Sequence, residues 1–282
     1  MTIVTRFAPS PTGLLHVGHA YSATLAWNKA IEAGGRFLLR MEDIDQTRCR
    51  PEFEEAIYED LNWLGLKWEK PIRKQSEHMD DYEVVLDRLF ERGLIYPCFC
   101  TRREIAAEIA ASHSAPHGSE GPLYPGTCRS LSNKQRDENF AKEKPYALRL
   151  DMSAALKEVD VTQLFFRELD KGVIQCDPVK FGDAVLARKE TPTSYHLAVT
   201  LDDAFQGVNL VVRGQDLFGA THLHRLLQHL LDLPTPNYFH HGLVSDMKGR
   251  RLAKRDKSVT LQDIRGNGYS QEDVRKLIGF KI

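Results

Sequence analysis

The sequence predicts an α/β protein built on a parallel sheet, and two observations carry that expectation. The chain opens with a strand-like run, "TIVTRFAP", then a helical run, "HAYSATLAWNKAIEA", then a second buried strand, "RFLLRMED". A strand, a crossover helix and a further strand make a right-handed unit with parallel strands. The second observation is composition: 42% hydrophobic and 27% charged residues over 282 positions describe a globular chain, long enough for one large domain or two smaller ones.

Composition also excludes some function classes. No run approaches the ~18–20 apolar residues that cross a bilayer, and no apolar core follows the start as in a signal peptide. A cytoplasmic location with no membrane partner is therefore expected. The net charge of −1 does not describe a general polyanion binder, so a nucleic acid would need a local basic face. "KGRRLAKRDK", Lys248 to Lys257, with six Lys or Arg in ten positions, is a candidate; a solvated loop is the alternative reading.

Taken in order, the first strand ends at proline, which offers no ladder donor. The first helix stops at Gly34-Gly35. Helical patterns follow in "PEFEEAIYEDLNWLGL" and "DDYEVVLDRLFERGLIY". From Cys98 to about Arg129 the rhythm breaks into "CFC", a helical "TRREIAAEIAA" and a Gly-, Pro- and Ser-rich tail, read as an inserted subdomain. The stretch from "YALRLD" through "RGQDL" looks strand-rich, "FGATHLHRLLQHLLDL" reads as a helix, and "SQEDVRKLIGF" as a short terminal helix. The expected units are residues 1–97 and 181–258 for two halves of a catalytic domain, 98–180 for the insert and 259–282 for a tail. Cys49 and Cys176 are expected to be ordinary buried thiols.

The stretch "RFAPSPTGLLHVGHA", Arg6 to Ala20, falls at the first strand-to-helix junction. A helix N-terminus presents unpaired N–H groups and positive potential, which suit phosphate. Gly18 would let a nucleotide approach the backbone, and His16 and His19 would donate imidazole N–H bonds to phosphate oxygens. A stiff turn with incidental histidines is the structural alternative. Ligands of such sheets sit beyond the carboxyl ends of the strands, so the Arg6–Gly13 loop and Glu42-Asp43 should face one crevice.

The whole string resembles the signature of the glutamyl- and glutaminyl-tRNA synthetases, with "HVGH" in the place of the HIGH motif of class I aminoacyl-tRNA synthetases. "RMEDID", "YPCFCTRREI", the long stretch from "GDAVLARKETPTSYHL" to "VVRGQDL", and "RLAKR" in the place of the KMSKS-type loop follow in the family's order, covering roughly Thr5 to Ser258. The resemblance implies a Rossmann-type catalytic domain, interrupted by an acceptor-end-like subdomain, that activates glutamate with ATP and Mg²⁺. It also implies that Arg6, Phe7, Ala8, Pro9, Ser10, Glu42, Tyr195 and Arg213 line the glutamate site. It further assigns His16, Gly18, His19 and Lys254 to ATP, with His16, His19 and Lys254 catalytic. The chemistry agrees: two carboxylates suit two guanidinium forks, and an ammonium suits Glu42. Arg251 and Ala253 depart from the loop's usual lysine and serine, and Lys257-Ser258 could share the role of Lys254.

Cys98, Cys100 and Cys128 supply three thiolates, one short of a closed zinc site. In a short branch that this chain resembles, the glutamyl-queuosine tRNA(Asp) synthetases, Cys, Cys, Tyr and Cys bind zinc in that order, which implies Tyr124 as fourth ligand and one Zn²⁺ per chain. A phenol with a usual pKa of ~10 is an uncommon ligand, and His113 or His117 is chemically easier. Some two dozen residues follow Ser258, too few for the anticodon-reading domains of full-length relatives. The resemblance then implies tRNA(Asp) carrying queuosine as partner, beside ATP and L-glutamate, and a monomer. The alternatives are a truncated glutamyl-tRNA synthetase charging tRNA(Glu), a nucleotidyltransferase that is not a synthetase, and a non-catalytic tRNA- or zinc-binding module.

Overall fold

A computed structural model describes residues 2–111, 117–118, 121–188, 191–242 and 259–280. The chain begins β1 (Val4–Phe7), α1 (Val17–Glu32), β2 (Arg36–Met41), α2 (Pro51–Trp63), β3 (Glu69–Lys74), α3 (Met79–Glu91) and β4 (Ile95–Cys98). It continues with α4 (Arg102–Ala111), β5 (His117–Gly118), β6 (Gly121–Pro122), α5 (Asn133–Ala141), β7 (Ala147–Leu150), α6 (Met152–Ala155), β8 (Phe165–Glu168), β9 (Gly172–Gln175) and β10 (Val185–Arg188). It closes with α7 (Tyr195–Phe205), β11 (Leu210–Gly214), α8 (Ala220–Leu230), β12 (Asn237–His241), α9 (Leu261–Gly266) and α10 (Gln271–Leu277).

The expected parallel unit is present. β1 pairs parallel with β2 and β2 with β3, α1 crossing between the first two. β11 pairs parallel with β12, and β12 with β8. The two groups meet at β1, where Asn209 N–H donates to Val4 O at 3.1 Å and Val4 N–H to Asn209 Oδ1 at 2.8 Å. Both faces are covered, as parallel sheets require. Phe7, Leu39 and Val212 pack with α1, α2, α9 and α10, whereas Val4, Leu38 and Val211 pack with α3, α7 and α8.

The strands of residues 98–180 divide among three sheets, β5 and β6 pairing antiparallel only with each other. β7 lies antiparallel between β4 and β10, while β8 and β9 extend the β11–β12 sheet. One part of the strand-rich expectation is corrected: "YHLAVTLDDAF" is the helix α7. Its β-branched Val199 and Thr200 suggest a strand, but Ser194 accepts from Leu197 N–H at 3.4 Å and caps a helix. α1 ends as expected: Gly34 adopts φ +61°, and the Gly35 N–H returns to Ala30 O at 2.7 Å.

Candidate active site

Three strands of the parallel sheets deliver the site. Arg6 and Phe7 end β1, Glu42 follows β2, and Arg213 and Gly214 end β11. These carboxyl ends open on a cavity of about 1290 Å³. Among the described residues, every expected glutamate and nucleotide residue lines it: Arg6, Phe7, Ala8, Pro9, Ser10, His16, Gly18, His19, Glu42, Tyr195 and Arg213. Lys254 lies outside the described residues, as do Lys248 to Lys257 as a whole and His113. The positions that flank 243–258 can be placed: His241 and Thr260 both line the cavity, and Thr260 forms an antiparallel bridge with His16.

The opening loop is held by its own backbone. Glu42 N–H donates to Pro9 O at 3.0 Å and Arg50 N–H to Pro11 O at 3.0 Å. At its end the two histidines make a reciprocal cap for α1. Gly18 N–H donates to His16 Nδ1 at 3.1 Å, and His16 N–H donates to His19 Nδ1 at 3.2 Å. With Nδ1 accepting, each neutral ring carries its proton on Nε2. The rings stack with centroids 3.8 Å apart. Glycine at 18 has a second reason beside the expected one: a Cβ there would lie 3.0 Å from His16 Cε1, so the imidazole also favours the missing side chain.

Arg6 is not an unpaired fork. Its Nε donates to Asp203 Oδ1 at 2.9 Å and its Nη1 to Val212 O at 3.3 Å. Asp203 also takes Arg40 Nη1 at 2.9 Å, and Arg40 Nη2 reaches Glu42 Oε1 at 3.3 Å. Asp202, next in line, holds Arg73 Nε at 2.7 Å and accepts from Tyr82 and Gln75. Burial pushes the Glu42 carboxyl above its ordinary range, against the pull of Arg40 and Arg6. Burial acts on Asp203 in the same sense, but Arg6 and Arg40 outweigh it and hold that carboxyl low.

Arg213 has a different setting. Its Nε donates to His240 Nε2 at 3.1 Å, Nη1 to Tyr195 Oη at 3.3 Å and to His224 Nδ1 at 3.2 Å, and Nη2 to Thr221 Oγ1 at 2.8 Å. None of these acceptors is a carboxylate. Burial first, then the Arg213 cation, pushes His240 down to about 3 and His224 well below its ordinary value. The 2.7 Å contact of His240 with Glu168 is therefore a hydrogen bond from a neutral ring, not an ion pair. Because Tyr195 Oη accepts from Arg213, its own proton is available for a cavity ligand.

A second constellation gathers the expected metal donors. The three thiols of Cys98, Cys100 and Cys128 lie within 4.8 Å of one another. Tyr124 Oη is 3.5 Å from Cys100 Sγ and accepts from Cys128 N–H at 2.9 Å. Three sulfurs and a phenol oxygen at this spacing suit a tetrahedral ion with metal–sulfur bonds of about 2.3 Å. Arg149 stacks its guanidinium 4.0 Å from the Tyr124 ring centroid. Cys176 is buried as expected, whereas Cys49 is only half-buried.

Sequence reasoning missed Arg40, Asp202 and Asp203, and, of the acceptors of Arg213, all but Tyr195. Arg40 had one signal, since an arginine two residues before Glu42 in a strand faces the same side. The others are joined to their partners only by the fold.

Comparison with known proteins bears on the family and the fold. The family model described as "tRNA synthetases class I (E and Q), catalytic domain" matches residues 2–280. The chain belongs to this family of synthetases. A Rhodobacter capsulatus member of the family, "Glutamyl-Q tRNA(Asp) synthetase", is 48% identical over 278 residues, 98% of this chain and 100% of the relative. A Nocardia farcinica protein of the same name is 45% identical over 97% of this chain and 82% of its own length. An Aquifex aeolicus "Glutamate--tRNA ligase" is 37% identical over 96% of this chain but 55% of its own. A solved glutamate tRNA ligase from Elizabethkingia meningosepticum, in complex with its amino acid, superposes with a TM-score of 0.76 at 26% identity, covering 95% of this chain and 54% of that one. The synthetase family thus accounts for the α/β fold and parallel sheet. Among the described residues, no helix is long and apolar enough to cross a membrane.

Proposed function

We propose that this synthetase-family chain activates glutamate with ATP and transfers it to queuosine in the anticodon of tRNA(Asp). The observation that carries the amino-acid choice is Arg213, a buried guanidinium whose described acceptors are all neutral. A buried cation so placed favours an anionic ligand, and the Tyr195 hydroxyl can donate to the same carboxylate. Glutamine would turn an amide N–H₂ toward Arg213, leaving a buried donor without an acceptor at about 1–3 kcal/mol. Arg6 serves the α-carboxylate from a guanidinium oriented by Asp203, and Glu42 takes the ammonium, which restores a charge partner to a carboxyl that burial disfavours.

In the first step a carboxylate oxygen of glutamate attacks the α-phosphorus of ATP, forming the acyl–phosphate bond and releasing pyrophosphate. His16 and His19 donate Nε2–H to phosphate oxygens, and Lys254 neutralises charge on the departing pyrophosphate. Mg²⁺ accompanies ATP and shields its phosphates. In the second step a hydroxyl of queuosine's cyclopentene ring attacks the carbonyl carbon, and AMP leaves. Cys98, Cys100, Tyr124 and Cys128 would hold one Zn²⁺, which would serve as a structural clasp between β4 and the segment carrying Tyr124 and Cys128. The choice of queuosine rests on the name shared by the relatives that this chain matches over most or all of their length. Glutamate–tRNA ligases among the relatives make tRNA(Glu) charging the second reading.

The test is ATP–pyrophosphate exchange without tRNA. Exchange that depends on glutamate and is at least about a hundredfold slower with glutamine, the size of one or two buried charge-assisted hydrogen bonds, supports the reading. Absence of glutamate-dependent exchange contradicts it.

A further inference from the structure

The acceptors around Arg213 are built in layers. A guanidinium has five N–H donors, and four contacts to described residues leave Nη2 with one hydrogen for the cavity. Behind the first acceptor stands Glu168, 1% exposed. Its Oε1 accepts from the His240 backbone N–H at 2.8 Å and its Oε2 pairs with His240 Nδ1 at 2.7 Å. With Nδ1 as the donor, the lone pair of Nε2 turns toward Arg213. The parallel register of β8 with β12, Glu168 opposite Tyr238, brings the carboxylate there. A second line runs the same way: His224 accepts from Arg213 through Nδ1, so its Nε2–H faces His196 Nδ1 at 3.1 Å.

We propose that Glu168, His240, Thr221 and His224 are positioning residues that fix the Arg213 fork and withhold any direct carboxylate from it, and so set the selection of a side-chain carboxylate over an amide. The proposal rests on the reading of Arg213 as the anchor of the glutamate side chain. Its logic is one of hydrogen-bond parity. Glu168 accepts twice, which forces one tautomer on His240. A glutamine at 168 accepts only once. Either the His240 backbone N–H loses its acceptor, or the ring reverses its tautomer and sets an Nε2–H against Arg213 Nε–H. Both outcomes displace the guanidinium. The buried countercharge stays one imidazole away, so Arg213 keeps its cation for the ligand while Glu168 balances it electrostatically.

Steady-state exchange kinetics on Glu168→Gln, Thr221→Val and Arg213→Lys decide the matter, with thermal unfolding run in parallel. The expected result is a glutamate KM raised about tenfold or more in the first two variants, the size of one hydrogen bond to a charged group. The KM for ATP and kcat should stay within about twofold, since only ground-state and transition-state binding of the amino acid is touched. The preference for glutamate over glutamine should shrink in parallel. A purely structural role would instead lower kcat, both KM-derived affinities and the unfolding midpoint together, and that pattern overturns the proposal. If Glu168→Gln does not fold, the near-isosteric Thr221→Val decides alone: an unchanged glutamate KM there overturns the proposal. An unchanged glutamate KM in Arg213→Lys overturns the anchor itself, and a raised one there with unchanged values in the other two overturns only the positioning role.

Discussion

Asp203 Oδ1 lies 2.9 Å from Arg6 Nε, joining residues 197 positions apart behind a guanidinium that lines the cavity. The same oxygen takes Arg40 Nη1 at 2.9 Å, so one carboxylate balances two buried guanidinium groups. Asp203→Asn removes that charge, taking from Arg6 its carboxylate partner and leaving Arg40 with Glu42 and Asp202. The expected cost is about 3–5 kcal/mol, as for other buried pairs broken from one side, read as a lower urea midpoint. A midpoint unchanged from the parent would contradict the shared role. Because Asp203 is held below its ordinary range, its contribution is complete above the unfolded carboxyl's ~3.9 and is lost only as pH falls through the lower folded value.

Gly18→Ala tests the histidine cap. The new Cβ would stand 3.0 Å from His16 Cε1, and the ring cannot yield toward His19, stacked 3.8 Å away. The His16 cap is lost at about 1 kcal/mol, and pyrophosphate exchange falls far more than stability does. Exchange at the parent rate would show that ring placement is immaterial.

Asp60 gives the protein a pH signature of opposite sign to Asp203. It is fully buried on α2, its oxygens have no hydrogen-bond partner among the described residues, and Arg265 Nη2 approaches only to 3.7 Å. Burial outweighs that cation and pushes the carboxyl up to about 6. The folded state therefore holds a proton that the unfolded chain releases near 3.9. Stability from this group is present below about 4 and declines as pH rises through about 6. Asp60→Asn should flatten that slope and raise stability at neutral pH, on the order of 2 kcal/mol. An identical pH profile in the variant would refute the assignment.

The strands of the first parallel unit, α1 and the placement of two sequence-distant loops at one crevice are legible in the sequence, because each rests on local patterning. Arg6, Glu42 and Arg213 can be chosen by charge chemistry and family likeness, but their partners cannot. Asp203, Glu168 and His240 reach the site through α7, β8 and β12, whose positions depend on register and on which face of an element is buried. α7 itself is misread for the same reason: its β-branched residues favour a strand until Ser194 and burial against α8 settle a helix.

The sulfur cluster predicts bound metal. Purified protein should carry about one zinc per chain by elemental analysis, four donors being a closed structural set. Cys98→Ser should lose it and lower the unfolding midpoint, while Tyr124→Phe should weaken retention against a chelator. Metal-free parent protein of full stability would contradict the site.

The central claim is met most directly by transfer of labelled glutamate, after ATP-driven activation, onto bulk tRNA with and without queuosine. The account predicts label on the queuosine-containing pool and none on the queuosine-free pool. Equal labelling of the two pools would contradict the modified-base assignment and point to tRNA(Glu), and no labelling of either, with no pyrophosphate exchange, would contradict glutamate activation itself.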